Sequence, residues 1–542
     1  MIKKRKKSSY TIKKKSKVYF LLLPVVVLIF SILVISKKLV YLSSDPVGEK
    51  NCNPLIPIDS LNDRNILKIS MLQFQTFIPF VQKGGTINDA SCLNKTTIFG
   101  IVKVHSEEDI KNALKFAKEN NLKVSLAGAR HSMGGQAFAK NALVLDMTGF
   151  NHMTIDKKSK VLTAQSGTTW HEIQNFLNPM NLAVKSMQSV DIFTIGGTIS
   201  VNAHGMDNRV GSIASTIRSL RLMDANGNIH TLSRTQNPTL FNAVIGGYGL
   251  FGIILDAQLD VVDNVMYLEK RHIINYKNFT TLYKNIANTP NIGLAYAHFS
   301  LAPQSFFKDM IVFTYEKESK FHEPFPALQE RGQVKLRRLV LNLAKLGPVG
   351  QEVKWLAERY IEPLFQNCYK SRNQAMSEPE ACLISRNQQM HDSDKYLKNN
   401  LINNTDILQE YFIPRDKFIP FIDGASKILQ LNNTNTVNAS IRIVNKENIM
   451  LNYAPEDMFA LVLYINQATT PEANQKMEKV TRELINFTVK MGGTFYLPYQ
   501  LYFTPEELKA SYPNINSFFA LKKQYDPSEL FVNNFYLKYH SE

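Results

Sequence analysis

Two glycine-rich turns, each containing one histidine, constrain the fold of this chain most strongly. The first reads Gly128-Ala-Arg-His-Ser-Met-Gly-Gly-Gln136, and the second reads Thr194-Ile-Gly-Gly-Thr-Ile-Ser-Val-Asn-Ala-His-Gly205. Glycine lets the backbone take positive φ and approach a ligand without a Cβ in the way. Successive N–H groups in such turns form a concave nest for anionic oxygens, such as those of a pyrophosphate. The two turns therefore predict a dinucleotide that is held by loops instead of by one helix terminus.

A third glycine-rich turn runs into an apolar, strand-like stretch. It reads Gly246-Gly-Tyr-Gly-Leu-Phe-Gly-Ile-Ile-Leu255. Within it, residues 247–252 spell Gly-x-Gly-x-x-Gly, but in a Rossmann site that fingerprint opens a helix. The strand-like continuation therefore argues against a Rossmann fold.

In this order, the three turns resemble the vanillyl-alcohol-oxidase or PCMH-type family of FAD-linked oxidases, with the closest similarity to its sugar, polyol and aldonolactone oxidases. The resemblance implies an α+β fold, in which a PCMH-type FAD-binding domain of two subdomains is joined to an α+β substrate domain with a central antiparallel sheet. It also implies FAD as the cofactor. The residues expected to bind it are Gly128, Ala129, Arg130, His131, Ser132, Met133, Gly134, Gly196, Gly197, Ser200, Asn202, His204, Gly205, Gly249, Gly252, Ile253 and Ile254.

The two histidines have different expected roles. In many relatives, the histidine at the place of His131 is bonded to the C8α-methyl group of the flavin, so the resemblance favours covalent attachment here. The alternative is a histidine that only hydrogen-bonds within its loop, with FAD bound non-covalently. For His204, a structural role in the second turn is favoured over a catalytic one.

Catalytic residues are expected on the substrate side of the flavin. The stretches Leu408–Pro414 and Val437–Arg442 look like paired central strands of the sugar- and polyol-oxidising relatives. Arg442 is expected to polarise a substrate hydroxyl, and Glu410 or Lys538 to take its proton. A purely structural pair of Arg442 and Glu410 is an equally supported alternative.

The net charge of +17 does not indicate nucleic-acid binding. Residues 1–50 hold twelve Lys/Arg and two Asp/Glu, which accounts for +10 of it, and the rest of the chain has no basic run. Nine of these cations precede residues 18–36, which are 19 residues without a charge. This length is enough to span a bilayer, and the charge asymmetry predicts a cytoplasmic amino terminus and an exported catalytic body. A cleaved signal peptide is the alternative.

These features divide the chain into expected regions. They are a basic tail (1–17), a transmembrane anchor (18–36), a connector (37–94), the FAD-binding domain (95–262), the substrate or cap domain (263–490) and a carboxyl-terminal segment that returns to the FAD-binding domain (491–542). A helical stretch rich in Lys, Arg and Gln, around residues 317–400, is read as a solvated face, with a membrane-surface insertion as the alternative.

The four cysteines have no Cys-x-x-Cys spacing, so no metal site is expected. They permit two disulfides, with Cys52–Cys92 and Cys368–Cys382 as the local pairing, or four buried thiols.

The predicted function is FAD-dependent oxidation of a CH–OH group in a sugar, polyol or aldonolactone. Hydride would pass to flavin N5, and oxygen or another acceptor would reoxidise the flavin. One alternative is an enzyme acting on a lipid-linked sugar or sterol-like substrate, resembling decaprenylphosphoryl-ribose oxidase. An alternative of another class is a membrane-tethered binding protein without catalysis.

Overall fold

The computed structural model describes residues 31, 33–44, 78–319, 324–330, 332–365, 368, 382–391 and 394–540. Near the beginning of this part lies a small sheet in which three strands run parallel. Its order is Phe80–Lys83, Gly100–Lys103, Leu143–Asp146 and Val124–Ala127. Helix Glu107–Glu119 packs its apolar face on this sheet. The spacing of Ser106 and Asp109 in the sequence predicts a capping box at the start of this helix, and the two residues form one.

An antiparallel sheet follows in the chain and bears the strand that continues the third glycine-rich turn. Its strands are, in order, Ile229–Ser233, Ile217–Met223, Ile253–Asp263, Val161–Gln165 and Met153–Asp156, with Leu182–Val184 paired to the end of the third. The strand Ile253–Asp263 begins directly after Gly252. The expectation of a strand instead of a Rossmann helix is therefore confirmed.

A large antiparallel sheet of eight strands, here called the central sheet, dominates the second half of the chain. Its order is Leu383–Ser385, Met266–Asn275, Asp309–Lys317, Ile292–Phe299, Thr436–Val444, Met458–Ala468, Asn404–Pro414 and Thr494–Phe495. The expected direct pairing of the two strands that carry Glu410 and Arg442 is wrong, because Met458–Ala468 lies between them. The strand Met458–Ala468 is a nearly continuous apolar run with buried residues on both faces, which suits a central position.

Two long helices cover the face of the central sheet on which the odd-numbered residues of Asn404–Pro414 lie. Gln409 on that face donates to Thr481 in the helix Pro471–Lys490, and Phe459 packs against Phe418 of the helix Phe418–Leu431. The remaining α-helices are Trp170–Leu177, Ile195–Val201, Pro238–Val244, Phe279–Asn288, Val334–Ala344, Pro348–Leu356, Arg386–Met390, Pro505–Ser511, Ile515–Tyr525 and Asn534–Tyr539. A two-stranded ladder joins Thr86–Ile87 to Thr96–Thr97.

The carboxyl-terminal segment returns to the parallel strands. The backbone of Val124 bonds to both Leu530 and Val532, and the hydroxyl of Ser125 donates to the Val532 carbonyl at 2.6 Å. Asp526 fixes the turn before this segment, since its carboxylate accepts the N–H groups of Leu530 and Phe531. The last residues thus close the edge of the sheet that carries the first glycine-rich turn.

The architecture is a mixed α+β fold with antiparallel sheets, as the resemblance implied. Most of the expected transmembrane segment, residues 18–36, lies outside the described residues. Among the helices that are described, none is long and apolar enough to cross a bilayer. Residues 33–43 are helical and end against the body of the protein, where Leu42 is only 1% exposed.

The cysteines of the described part are disulfide-bonded and none is free. Cys368 and Cys382 form one bridge, as the local pairing predicted. Cys92 is also bonded, and the expected partner, Cys52, lies outside the described residues.

Candidate active site

A cavity of about 550 Å³ lies between the three glycine-rich turns and the central sheet. All three turns contribute to its wall on one side, and alternate residues of three neighbouring strands contribute on the other. Those strand residues are Leu408, Glu410, Asn438, Ser440, Arg442, Val462 and Tyr464. Their alternation places them on one face of the sheet, opposite the face that the two long helices cover.

The first turn lines the cavity with residues 128–132. Gly128 has no room for a side chain, because a Cβ would collide with the hydroxyl of Thr194 in the second turn. The backbone of Arg130 takes a positive φ of 56°, which is uncommon for a residue other than glycine, and its carbonyl accepts the N–H of Ala90 at 3.1 Å. His131 lies in the cavity wall beside Phe193, with 4.8 Å between the ring centroids.

The second turn is partly helical, which the loop interpretation did not foresee. Thr194 caps the helix Ile195–Val201 by accepting the N–H of Gly197. Gly196 packs against Ser166, where a Cβ would lie 2.8 Å from the serine Cβ. Gly196, Gly197, Ser200 and His204 line the cavity.

The third turn contributes Gly249, Gly252, Ile253 and Ile254, together with Tyr248. Gly249 has a φ of 71° and Gly252 a φ of 148°, conformations that glycine takes without strain. Tyr248 also takes a positive φ, and its carbonyl accepts a hydrogen bond from Asn533 at 2.9 Å. The carboxyl-terminal segment thereby fixes the third turn.

Four residues that were expected to bind the cofactor do not line this cavity. Met133 is buried, and its sulfur accepts the N–H of Leu408. Asn202 is buried at the end of the helix Ile195–Val201, where its side-chain oxygen accepts the N–H of Ala214. Gly134 packs against Tyr499, and Gly205 against the carbonyl of Met187. These four positions shape the turns instead of lining the cavity.

Glu410 lies next to His204 at the meeting point of the second turn and the central sheet. Its Oε1 is 2.7 Å from Nε2 of His204, and both side chains are nearly inaccessible. Its Oε2 accepts a hydrogen bond from the hydroxyl of Tyr499 at 3.4 Å. Nδ1 of His204 has no hydrogen-bond partner among the residues that are described. The carboxylate of Glu410 therefore lies between the second glycine-rich turn and the strands that line the substrate side of the cavity.

Arg442 is one of the cations that line the cavity. Its guanidinium lies over the ring of Tyr296, with 4.9 Å to the centroid, and its Nη1 has no hydrogen-bond partner in the described part of the chain. Burial lowers the pKa of Arg442, although nearby Tyr296 and Glu410 act in the opposite direction. Within the described residues, Glu410 contacts His204 and not Arg442, so the direct structural pair is not formed there.

A group of charged and polar side chains lines the cavity farther from the turns. Lys354 donates to Glu358 at 2.6 Å and to Asn438 at 3.3 Å. Burial raises the pKa of Glu358 and lowers the pKa of His298 to about 3, to which the cations Lys354 and Arg442 contribute. His298 is therefore a neutral imidazole near pH 7. This wall offers donors and acceptors suited to a ligand rich in hydroxyl groups.

Comparison with known proteins agrees with this geometry. Residues 99–233 match the family described as FAD binding domain, and residues 314–540 match the family described as D-arabinono-1,4-lactone oxidase. The first match covers the first two turns, and the second covers the strands that carry Glu410 and Arg442. Together, the two matches identify the protein as an FAD-linked oxidase or dehydrogenase.

Three relatives show how far the likeness extends. Cytokinin dehydrogenase 2 of Arabidopsis thaliana is 22% identical over 82% of this chain and 89% of its own length. D-arabinono-1,4-lactone oxidase of Candida albicans is 23% identical over 34% of this chain and 36% of its own. An uncharacterized oxidoreductase in the fasciation locus of Rhodococcoides fascians is 29% identical over 29% of this chain and 36% of its own.

The cavity of this FAD-linked oxidase fits its cofactor in two respects. Around Gly197 the wall is open, since a Cβ there would meet only the Thr194 hydroxyl, at 3.1 Å. On the same side, the buried hydroxyl of Ser166 has no hydrogen-bond partner in the described residues. An open glycine backbone and an unused buried hydroxyl suit the phosphate and ribityl oxygens of FAD. FAD would be held by the turns containing Gly128–Ser132, Gly196–Ser200 and Gly249–Ile254.

Lys538 is not placed in this cavity. Its side chain is exposed, and Nζ donates to the carbonyl of Leu501 on the outside of the carboxyl-terminal helix. Lys538 is not among the residues that line the substrate cavity, so Glu410 is the proton acceptor of the expected pair that faces it.

Several cavity residues carried no recognisable signal in the sequence. Tyr296 and His298 come from Ile292–Phe299, and Lys354 and Glu358 come from a helical stretch that was read as a solvated face. Tyr499 lies in an irregular segment after the last strand of the central sheet. Alternation along Ile292–Phe299 was the one pattern that pointed to a common face for Tyr296 and His298.

A cluster of two histidines and one aspartate lies at the edge of the cavity. The spacing of the cysteines does not reveal it, because its residues are far apart in the chain. Nδ1 of His171 and Nδ1 of His391 each lie 3.0 Å from Oδ2 of Asp191. The three side chains offer ligand atoms within 4.8 Å of one another, a set of donors able to hold a divalent cation. His391 also lies 3.1 Å from the amide oxygen of Gln174, so hydrogen bonds account for the cluster as well.

Proposed function

We propose that this FAD-linked oxidase oxidises an alcohol carbon of a polyhydroxylated substrate, namely a sugar, a polyol or an aldonolactone. The observation that carries the proposal is that Arg442 and Glu410 face the same cavity as the three FAD turns. The match of residues 314–540 to the D-arabinono-1,4-lactone oxidase family supports the same substrate class. Bound FAD supplies the acceptor for the hydride of the alcohol carbon and returns its electrons to oxygen or another acceptor.

Arg442 binds and polarises the substrate oxygen. Its Nη1 has a free donor in the described structure, and Tyr296 holds the guanidinium plane from one side. As the carbon loses hydride, negative charge grows on the oxygen, and a fixed guanidinium stabilises this charge more than it stabilises the neutral alcohol. Arg442 therefore acts mainly on the transition state.

Glu410 accepts the hydroxyl proton. In the central sheet, Glu410 is paired with Val462, which is paired in turn with Ser440, and Arg442 lies two residues beyond Ser440 on the same strand. Two strand spacings, about 10 Å, separate the two strands, which leaves room for a substrate carbon between the side chains. Tyr499 donates to one oxygen of this carboxylate, and Nε2 of His204 lies 2.7 Å from the other. The alcohol thus loses a hydride and a proton and becomes a carbonyl.

The test is anaerobic reduction of the flavin by a panel of sugars, polyols and aldonolactones, followed by stopped-flow absorbance. For the substrate that reduces the wild-type flavin, we expect Arg442→Lys to slow reduction by about 10²-fold or more, because lysine keeps the charge but loses the planar fork. Arg415→Lys is the matched control, because Arg415 pairs with Asp457 outside the cavity.

Two outcomes would contradict the proposal. One is flavin that no member of the panel reduces, and the other is reduction that is equally fast in the Arg442→Lys and Glu410→Gln variants. Retention of the flavin by both variants, measured by absorbance, ensures that a slower reaction reports on substrate chemistry and not on loss of FAD.

A further inference from the structure

Two segments of the chain hold most of the large apolar side chains that are exposed among the described residues. Of 21 large apolar residues that are exposed, six belong to the helical residues 33–41 and eight to residues 336–364. Val349 is 80% exposed and Leu364 is 77% exposed. Single exposed apolar residues need no explanation, but a cluster of this kind marks a surface that contacts a partner or a membrane.

The exposed apolar residues of the segment 336–364, here called the rim, border the substrate cavity. Leu336 and Val340 of the helix Val334–Ala344 line the cavity, and so does Ile361, just beyond the helix Pro348–Leu356. Leu336 and Ile361 are also exposed on the outside. The rim is thus continuous with the cavity wall, whereas the deeper wall at Lys354, Glu358 and Arg442 is polar.

The helical residues 33–43 are hydrogen-bonded to residues near the rim. Asn342 donates to the carbonyl of Leu42 at 2.9 Å, and Asn400 donates to the carbonyls of Tyr41 and Ser44, each at 2.8 Å. These bonds satisfy carbonyl groups at the end of the helix, which would otherwise lack partners. The uncharged run 18–36 therefore leads directly to the rim.

The distance between that run and the rim is short. Leu42, which is buried, lies six residue steps beyond Ser36, and at the helical rise of 1.5 Å per residue these steps span about 9 Å. Lys37 and Lys38 follow the uncharged run and are exposed, which suits the headgroup region of a bilayer. A bilayer that held residues 18–36 would consequently lie against the rim.

We propose that the rim rests on a lipid bilayer and that the substrate is an amphiphile, which enters the cavity from the lipid with its polyhydroxylated head first. The proposal rests on the proposed function for the chemistry at the head. It adds that the apolar chain of the substrate leaves between Leu336 and Ile361 toward the membrane. The apolar rim stabilises this contact, while the polar wall binds the hydroxyl groups.

Fluorescence quenching on the full-length holoenzyme in phosphatidylcholine–phosphatidylglycerol vesicles tests the membrane contact. The dye NBD is attached to Val349→Cys, and to Lys427→Cys as the control on the helix that covers the opposite face of the central sheet. With doxyl-labelled phosphatidylcholine in the vesicles, we expect at least a threefold stronger quenching at position 349 than at 427. Equal quenching at the two positions would overturn the bilayer contact.

Entry of a chain into the mouth needs a probe inside it. NBD at Leu336→Cys is titrated with doxyl-stearoyl lysophosphatidylcholine, a single-chain amphiphile, and we expect saturable quenching there with none at position 427. Quenching that increases linearly with the lipid concentration at both positions, without reaching a plateau, would overturn chain entry. NBD at position 349 could instead become shielded from water as the protein concentration rises, independently of the doxyl lipid. This result would assign the rim to contact with a second copy of the chain and would also overturn the proposal.

These results are independent of the proposed chemistry. If the quenching tests fail while water-soluble polyols still reduce the flavin, the oxidase proposal stands and the membrane rim falls. If quenching succeeds but neither soluble polyols nor their alkylated counterparts reduce the flavin, the rim stands and the alcohol-oxidase proposal falls.

Discussion

At the scale of single residues, covalent attachment of FAD through His131 stays a prediction. His131 lies in the cavity wall and packs beside Phe193 in a turn that already surrounds the FAD site. We expect acid precipitation of the holoenzyme to leave the yellow colour in the washed pellet, and His131→Ala to release it into the supernatant. His152→Ala, at an exposed position, is the control and should keep the colour in the pellet. Colour released from the wild type would disprove the covalent bond and leave non-covalent FAD.

His298 predicts an effect of pH on stability. Burial, with Lys354 and Arg442 nearby, lowers the pKa of His298 from 6.5 to about 3 in the folded protein. Between these pH values, the unfolded chain takes up a proton that the folded chain does not. Stability contributed by the neutral imidazole is therefore present above pH 6.5 and is lost as the pH falls, by up to about 1.4 kcal/mol per pH unit.

The measurement is urea unfolding of the holoenzyme at about pH 7 and about pH 5, within the window in which the two states differ in bound protons. We expect His298→Gln to lose less free energy of unfolding between these pH values than the wild type. His152→Gln should behave as the wild type, because this side chain is exposed. An unchanged pH dependence in His298→Gln would show that the buried histidine is not held neutral.

At the scale of elements, two glycines of the second turn have opposite expected roles. A Cβ at Gly197 would meet only the Thr194 hydroxyl, and alanine favours the helix in which Gly197 lies, by about 1 kcal/mol. We expect Gly197→Ala to keep or raise the melting temperature of the apoprotein but to weaken FAD binding by at least tenfold. The ratio of flavin to protein absorbance after gel filtration measures the loss.

Gly205→Ala is the matched comparison. Its Cβ would collide with the carbonyl oxygen of Met187, a backbone atom that cannot rotate away. We expect this variant to lose at least about 1–3 kcal/mol of stability, which a lower melting temperature of the apoprotein would reveal. If Gly197→Ala bound FAD as tightly as the wild type, the second turn would not be the cofactor cradle.

Turn chemistry made these elements predictable from the sequence, and long-range pairing did not. Glycine spacing located the three turns, and the Ser106 box located the start of a helix, because both are determined by neighbouring residues. The strand between those of Glu410 and Arg442 was not foreseen, since pairing order depends on contacts far apart in the chain. The Glu410–His204 contact and the position of Lys538 followed from the same tertiary arrangement, so the catalytic set could be named only in part.

At the scale of the whole molecule, the charges and the disulfide bear on the orientation that a membrane-anchored chain would take. Nine Lys/Arg precede the uncharged run 18–36, which favours a cytoplasmic amino terminus, and the Cys368–Cys382 bridge suits an oxidising compartment for the body. We propose this single-pass arrangement, with the rim facing the outer surface of the bilayer.

Labelling with a membrane-impermeant maleimide, in intact cells that express the full chain, tests the orientation. Lys427→Cys lies on an exposed helix position of the body and should react, whereas Ser8→Cys in the basic tail should react only after the cells are permeabilised. The opposite pattern would place the catalytic body in the cytoplasm. The rim would then contact the inner leaflet, and only lipids of that leaflet could reach Arg442 and Glu410. The orientation of the chain therefore decides which pool of amphiphilic substrates the cavity can sample.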